Sequence, residues 1–94
     1  MAINLEFNTY EDIIAFLYNE KRMLFVETLD EIRRCLNTGE EVVNVANFLI
    51  GENTVVINVD KEDWETHLDV SLIYFEGIED YEICLEIKKL LSSL

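Results

Sequence analysis

Residues 42–59 read VVNVANFLIGENTVVINV, and this stretch decides the fold class. Valine, isoleucine and asparagine dominate it, and few of its residues are good helix formers. Val55, Ile57 and Val59 alternate with Val56, Asn58 and Asp60, the period of a strand with one buried face. Gly51, Glu52 and Asn53 supply turn chemistry between two apolar runs, Val42–Ile50 and Thr54–Val59. The stretch therefore reads as a β-hairpin.

Upstream of the hairpin, Leu29, Ile32, Cys35 and Leu36 form one apolar helical stripe. Gly39 lies just beyond it, where a left-handed helix ending favours glycine. Thr28 with Glu31 three residues on matches a capping box for the start of that helix. Nearer the N-terminus, Ile3, Leu5 and Phe7 alternate with polar residues as in a half-buried strand. Thr9 then serves as an N-cap for a helix over 10–21, with Tyr10, Ile13, Ile14 and Leu17 at helical spacing. The segment Met23–Val26 fits either a short strand or an apolar joint between two helices.

Downstream, Asp60–Asp69 reads as a hydrophilic connection, Val70–Phe75 as a further strand, and Ile78–Leu94 as an amphipathic helix. The element order is β-α-(β)-α-β-β-β-α. This predicts an α+β fold in one domain over 1–94: a mainly antiparallel sheet of about three to five strands with about three helices packed on it. The chain has 94 residues, no proline and three glycines, a length suited to one core and a composition without a linker.

Several function classes find no support. The glycines Gly39, Gly51 and Gly77 are isolated, so no phosphate-cradling loop is present. No HExxH or CxxC occurs, and Cys35 and Cys84 read as buried free thiols. Asp60, Glu62, Asp63, Glu65 and Asp69 offer hard oxygen ligands, but an EF-hand counted from Asp60 places Glu65 where glycine belongs and Ser71 where glutamate belongs. His67 is the one histidine, and it reads as a surface residue. No catalytic residue, metal or cofactor is assigned, and the chain is expected not to be an enzyme. No apolar run approaches the ~20 residues of a membrane span, and Met1–Asn8 lacks the pattern of a secretory signal. A cytoplasmic location is expected, the host's cytoplasm if a phage encodes the chain.

Charge is the extreme feature. Twenty acids against seven bases give a formal net charge of −13, where a magnitude of about 2–8 suffices for solubility. Such a charge repels phosphates and argues against direct nucleic-acid binding. The basic pairs Lys21–Arg22, Arg33–Arg34 and Lys88–Lys89 read as complements to the dipole in helix C-terminal halves. From Asp60 to Glu86 there are ten acids and one base, so the C-terminal third is the acidic centre.

The expected contact surface therefore comprises Asp60, Glu62, Asp63, Glu65, Asp69, Glu76, Glu79, Asp80, Glu82 and Glu86. Tyr81 and Leu85, spaced i, i+4 off the core stripe of the last helix, would add an apolar patch bordered by carboxylates. Trp64 has two candidate roles: anchoring its segment to the core, or stacking on a guanidinium of the partner.

In charge, size and lack of motifs, the whole chain resembles the DNA-mimic inhibitors of phages and mobile elements, among them anti-restriction and anti-CRISPR proteins. That resemblance implies a protein that blocks the basic groove of a nuclease or another nucleic-acid-binding protein. An immunity or antitoxin protein masking a basic toxin has the same charge logic. A small acidic accessory subunit or homodimer, assembled through Tyr81 and Leu85, is the third reading.

Overall fold

In the computed structural model, which describes residues 2–94, Thr9 is the N-cap of α1 (Tyr10–Asn19). Its hydroxyl oxygen accepts the Asp12 N–H at 3.2 Å, satisfying one of the donors that a helix start leaves free. Preceding it is β1 (Ile3–Phe7). The chain turns at Glu20, whose N–H still donates to the Phe16 carbonyl, and enters α2 (Lys21–Thr38). Gly39 ends α2 at φ 80°, its N–H donating to the Cys35 carbonyl at 2.8 Å. The hairpin follows as β2 (Val42–Ile50) and β3 (Asn53–Asp60). Gly51 has φ 60°, suiting the first central position of a two-residue turn where only glycine is unstrained. A 3-10 turn (Lys61–Asp63) leads into α3 (Trp64–Gly77) and then α4 (Tyr81–Ser93). The chain divides into two compact units, Met1–Val59 and Asp60–Leu94.

The fold is α+β, with a three-stranded sheet in the order β1-β2-β3. Four of the sequence expectations need correction here. Met23–Val26 is neither strand nor joint but part of α2. Thr28 therefore sits inside the helix, donating its hydroxyl to the Leu24 carbonyl at 2.8 Å, and is not a cap. Val70–Phe75 is helical, so two helices follow the hairpin where a strand and a helix were expected. The sheet is mixed rather than mainly antiparallel, because β1 pairs parallel to β2 with Ile3 opposite Ala46 and Phe7 opposite Ile50. With α1 and α2 between them, the connection is long enough to bring the chain back in the same direction.

The basic pairs also divide. Lys21–Arg22 opens α2 instead of closing α1, and the Lys21 ammonium lies 4.6 Å from the Tyr18 ring centroid. Arg33 pairs with Asp30 at 3.2 Å, and Arg34 bridges Glu31 (2.9 Å) and Glu40 (2.6 Å), tying α2 to the segment beyond its glycine cap.

The core of the first unit is built on β2. Val43, Val45, Ala46, Phe48 and Ile50 are all buried, although 43 and 45 have the opposite parity to 46, 48 and 50. Asn44 and Asn47, three residues apart, hydrogen-bond each other reciprocally through their side chains at 3.1 and 2.9 Å. In a regular strand those two side chains would stand on opposite faces. Both observations place a β-bulge at Val45–Ala46, where one extra residue resets the alternation. The bulge brings four asparagines into a chain across the sheet: Asn4 to Asn47 (3.0 Å), Asn47 to Asn44, and Asn44 to Asn58 (2.9 Å). On the buried side Phe7, Phe16 and Phe48 meet edge-to-face in a triangle with centroids 5.2–5.6 Å apart, joining β1, α1 and β2. Each such pair contributes ~0.5–1.5 kcal/mol beyond burial.

Phe48→Ala should therefore destabilise the protein by about 3–5 kcal/mol, and Phe48→Leu, which keeps most of the bulk but loses both ring pairs, by about 1–3 kcal/mol, in urea unfolding followed by circular dichroism.

Candidate functional site

α3 carries its buried stripe at Trp64, Leu68, Ser71 and Phe75, spacing i, i+4, i+7, i+11. Trp64 is only 1% exposed. Of its two candidate roles it takes the anchoring one, and its ring faces are closed to a guanidinium. Glu65, Asp69 and Glu76 are exposed and fall within about 40° of one another around α3, roughly a quarter-turn or more from the buried stripe. Between Glu65 and Glu76 the helix rises ~16 Å. Immediately before it, the carboxylates of Asp60, Glu62 and Asp63 come within 4.8 Å of one another, all three exposed. Exposed sets of this kind are common without an ion.

The α3 surface away from the core is apolar in part. Val70 is half exposed and Ile73 is 72% exposed. With Gly77 they share spacing i, i+3, i+7, a helical period visible in the sequence but hidden by the run Val70–Phe75, apolar except for Ser71.

α4 buries Cys84, Ile87 and Leu90 and half-buries Ile83 and Leu91, where the helical period of the sequence expects Ile83, Ile87, Leu90, Leu91 and Leu94 to face the core; Leu94 is exposed and Cys84 is an addition. Tyr81 and Leu85, each 61% exposed, lie off that stripe as expected. Glu82 and Glu86 are exposed on the far side of the helix. α3 and α4 pack against each other.

The turn between them determines where Glu79 and Asp80 go. The Asp80 N–H donates to the Phe75 carbonyl (2.9 Å) and the Glu79 N–H to the Glu76 carbonyl (3.1 Å), the two bonds of a Schellman ending. The left-handed position in that ending belongs to Glu79, at φ 62°, while Gly77 sits two residues early in helical conformation. Asp80 is half-buried and caps α4, its carboxylate accepting the Ile83 N–H at 3.5 Å. Asp80 is therefore committed to the fold.

Asp60, Glu62, Asp63, Glu65, Asp69, Glu76, Glu79 and Glu82 make no ion pair with a described residue, whereas Arg33 and Arg34 pair with acids of α2 and its ending. The structure thus puts eight of the ten predicted acids in three exposed sets, the turn before α3, one face of α3 and the outer face of α4, while Glu79 and Asp80 lie in the turn between the helices. His67 is exposed on α3, its carbonyl accepting the Ser71 hydroxyl, and both thiols are buried. Burial pushes the Cys35 thiol above its ordinary pKa, helped by nearby Glu40 and Glu31 and opposed by Arg34. No helix among the described residues is long and apolar enough to cross a membrane.

Comparison with known protein families, with curated proteins and with solved structures gives no match.

Two outcomes follow from the turn and the thiols. Glu79→Gly should raise stability by about 1 kcal/mol by relieving the left-handed residue, and Glu79→Ala should not. Gly77→Ala, which meets open space, should add about 0.5–1 kcal/mol. Both are read from the urea midpoint at constant m-value. In a thiol-reagent assay near pH 8, Cys35 and Cys84 should stay unmodified in the native protein and both should react in denaturant.

Proposed function

We propose that this chain is a non-enzymatic acidic binding protein that occupies the basic surface of a nucleic-acid-handling protein. The observation that carries the proposal is the set of exposed carboxylates without ion pairs at Asp60, Glu62, Asp63, Glu65, Asp69, Glu76, Glu79 and Glu82, set beside exposed Val70, Ile73, Tyr81 and Leu85. Unpaired surface carboxylates attract and orient a basic partner, and water-accessible apolar side chains supply the contact that holds it. Glu65, Asp69 and Glu76 present negative charge along one face of α3 over a length comparable to several base-pair steps of DNA, and three more carboxylates cluster in the turn before it. A groove built for phosphates would accept such a row and be closed to its substrate by competition. No bond-making step is required, and none is assigned.

Immobilised on a resin, the chain should retain nucleic-acid-handling proteins from a lysate of its natural setting and release them to duplex DNA. Retention should fall as salt rises from about 0.1 M to 1 M. The triple variant Glu65→Lys, Asp69→Lys, Glu76→Lys should weaken a captured partner about a hundredfold, corresponding to ~1 kcal/mol for each reversal. Retention unaffected by DNA, by salt and by the reversals would sink the proposal.

A further inference from the structure

The two edges of the sheet are unlike. β1 is five residues long and places Glu6 on its exposed side. A short strand carrying a charge is a protected edge. β3 is eight residues long, and from Asn53 to Val59 it contains no charged residue, in a chain that is 29% charged. It lacks proline and lysine, the residues that blunt exposed edges. Val56, in its middle, is 50% exposed, and Val55 and Ile57 remain half-buried although they have the parity of buried Val59.

We propose that the free edge of β3 pairs with the same edge of a second copy of this chain, antiparallel and centred on Val56, joining the two sheets. With a two-residue turn at Gly51–Glu52, alternate residues from Asn53 onward bond toward β2. The main-chain groups of Thr54, Val56 and Asn58 are then left for the edge. That set is symmetric about Val56. Antiparallel pairing about this residue puts Val56 opposite its own copy, Thr54 opposite Asn58, and Val55 opposite Ile57. Polar meets polar on the outer face, and β-branched meets β-branched on the inner one. A two-fold contact demands such self-complementarity, and no foreign strand is needed to supply it. The asparagine chain that already runs from Asn4 to Asn58 would continue across the junction to Thr54 of the second copy.

Charge selects the occupant and sets the conditions. This neutral strand offers a basic partner no carboxylate between Asn53 and Val59, and it gives two like-charged copies a place to approach. At the ends of the pairing Glu52 faces Asp60 of the second copy, twice by symmetry. Self-pairing should therefore strengthen as salt rises, opposite to binding of a basic partner through Asp60–Glu86. Strand pairing alone is a small contact, so the dimer should be weak, with a dissociation constant on the order of micromolar to millimolar.

Sedimentation equilibrium of the full chain across that concentration range tests the proposal. Expected are a monomer–dimer equilibrium that tightens from about 0.1 M to 1 M salt, and its loss in Val56→Lys with an unchanged circular dichroism spectrum. Glu52→Lys, which converts both end pairs to opposite charges, should tighten the dimer about tenfold at low salt. A chain that stays monomeric throughout overturns the proposal. So does a dimer that Val56→Lys leaves intact, or one that Glu52→Lys does not tighten.

Discussion

The parallel register of β1 against β2 is the constraint on which the rest of the first unit depends. It sets Ile3, Leu5 and Phe7 beside Ala46, Phe48 and Ile50, and so decides which side chains reach the core. Two interactions hold it from opposite faces. Inside, Phe7 and Phe48 meet with Phe16 of α1; outside, Asn47 donates to Asn4. A slip of one residue would break both at once, because it would exchange the two faces of β1. The bulge at Val45–Ala46 makes the register compatible with a buried Val43 and Val45. Without the extra residue, one half of β2 would turn its valines to the asparagine face. A strand of nine residues can thus serve a parallel neighbour at one end and a hairpin partner along its length.

The two units manage charge differently. In the first, Arg33 and Arg34 of α2 are matched by Asp30, Glu31 and Glu40, and Glu31 is shielded from water while bonded to Arg34. In the second, Lys61 lies in sequence among three neighbouring carboxylates, and Glu65, Asp69 and Glu76 of α3 and Glu82 of α4 are exposed without such partners. Like charges about 5 Å apart repel by roughly 1 kcal/mol in water, a cost the fold tolerates because every member of the set is solvated. The turn between α3 and α4 shows another tolerated cost: a glutamate holds the left-handed position while a glycine lies two residues away. Both costs fall in the Asp60–Leu94 unit, within reach of its exposed apolar side chains along the chain.

Much of the local structure was legible in the residues. Thr9, Gly39 and Gly51 mark a helix start, a helix end and a hairpin turn through interactions spanning at most four residues, and each sits where its chemistry requires. The core stripe of α4 and the exposure of Tyr81 and Leu85 follow from the helical period alone. The acidity of 60–86 is a matter of counting, and the exposure of its carboxylates follows from the high cost of burying unpaired charge. What escaped were segments whose apolar residues run together, Met23–Val26 and Val70–Phe75. A mainly apolar run suits a buried strand and a half-buried helix equally, and packing against neighbours distant in sequence chooses between them. Trp64 followed the same rule, since only its burial in the fold assigns it an anchoring role.

The sequence by itself thus determined the hairpin, the start of α1 at Thr9 and the end of α2 at Gly39, and the concentration of negative charge. Tertiary structure alone decided that β1 joins the sheet in parallel, that α2 runs unbroken through Met23–Val26, that α3 is a helix, and that Glu79 takes the strained turn position. The division has one physical cause. Caps, turns and charge counts depend on groups within a few residues of each other, whereas the register of Asn4 with Asn47 or the meeting of Phe7, Phe16 and Phe48 exists only once the chain has closed loops of up to about forty residues, and no local pattern encodes which loops will close.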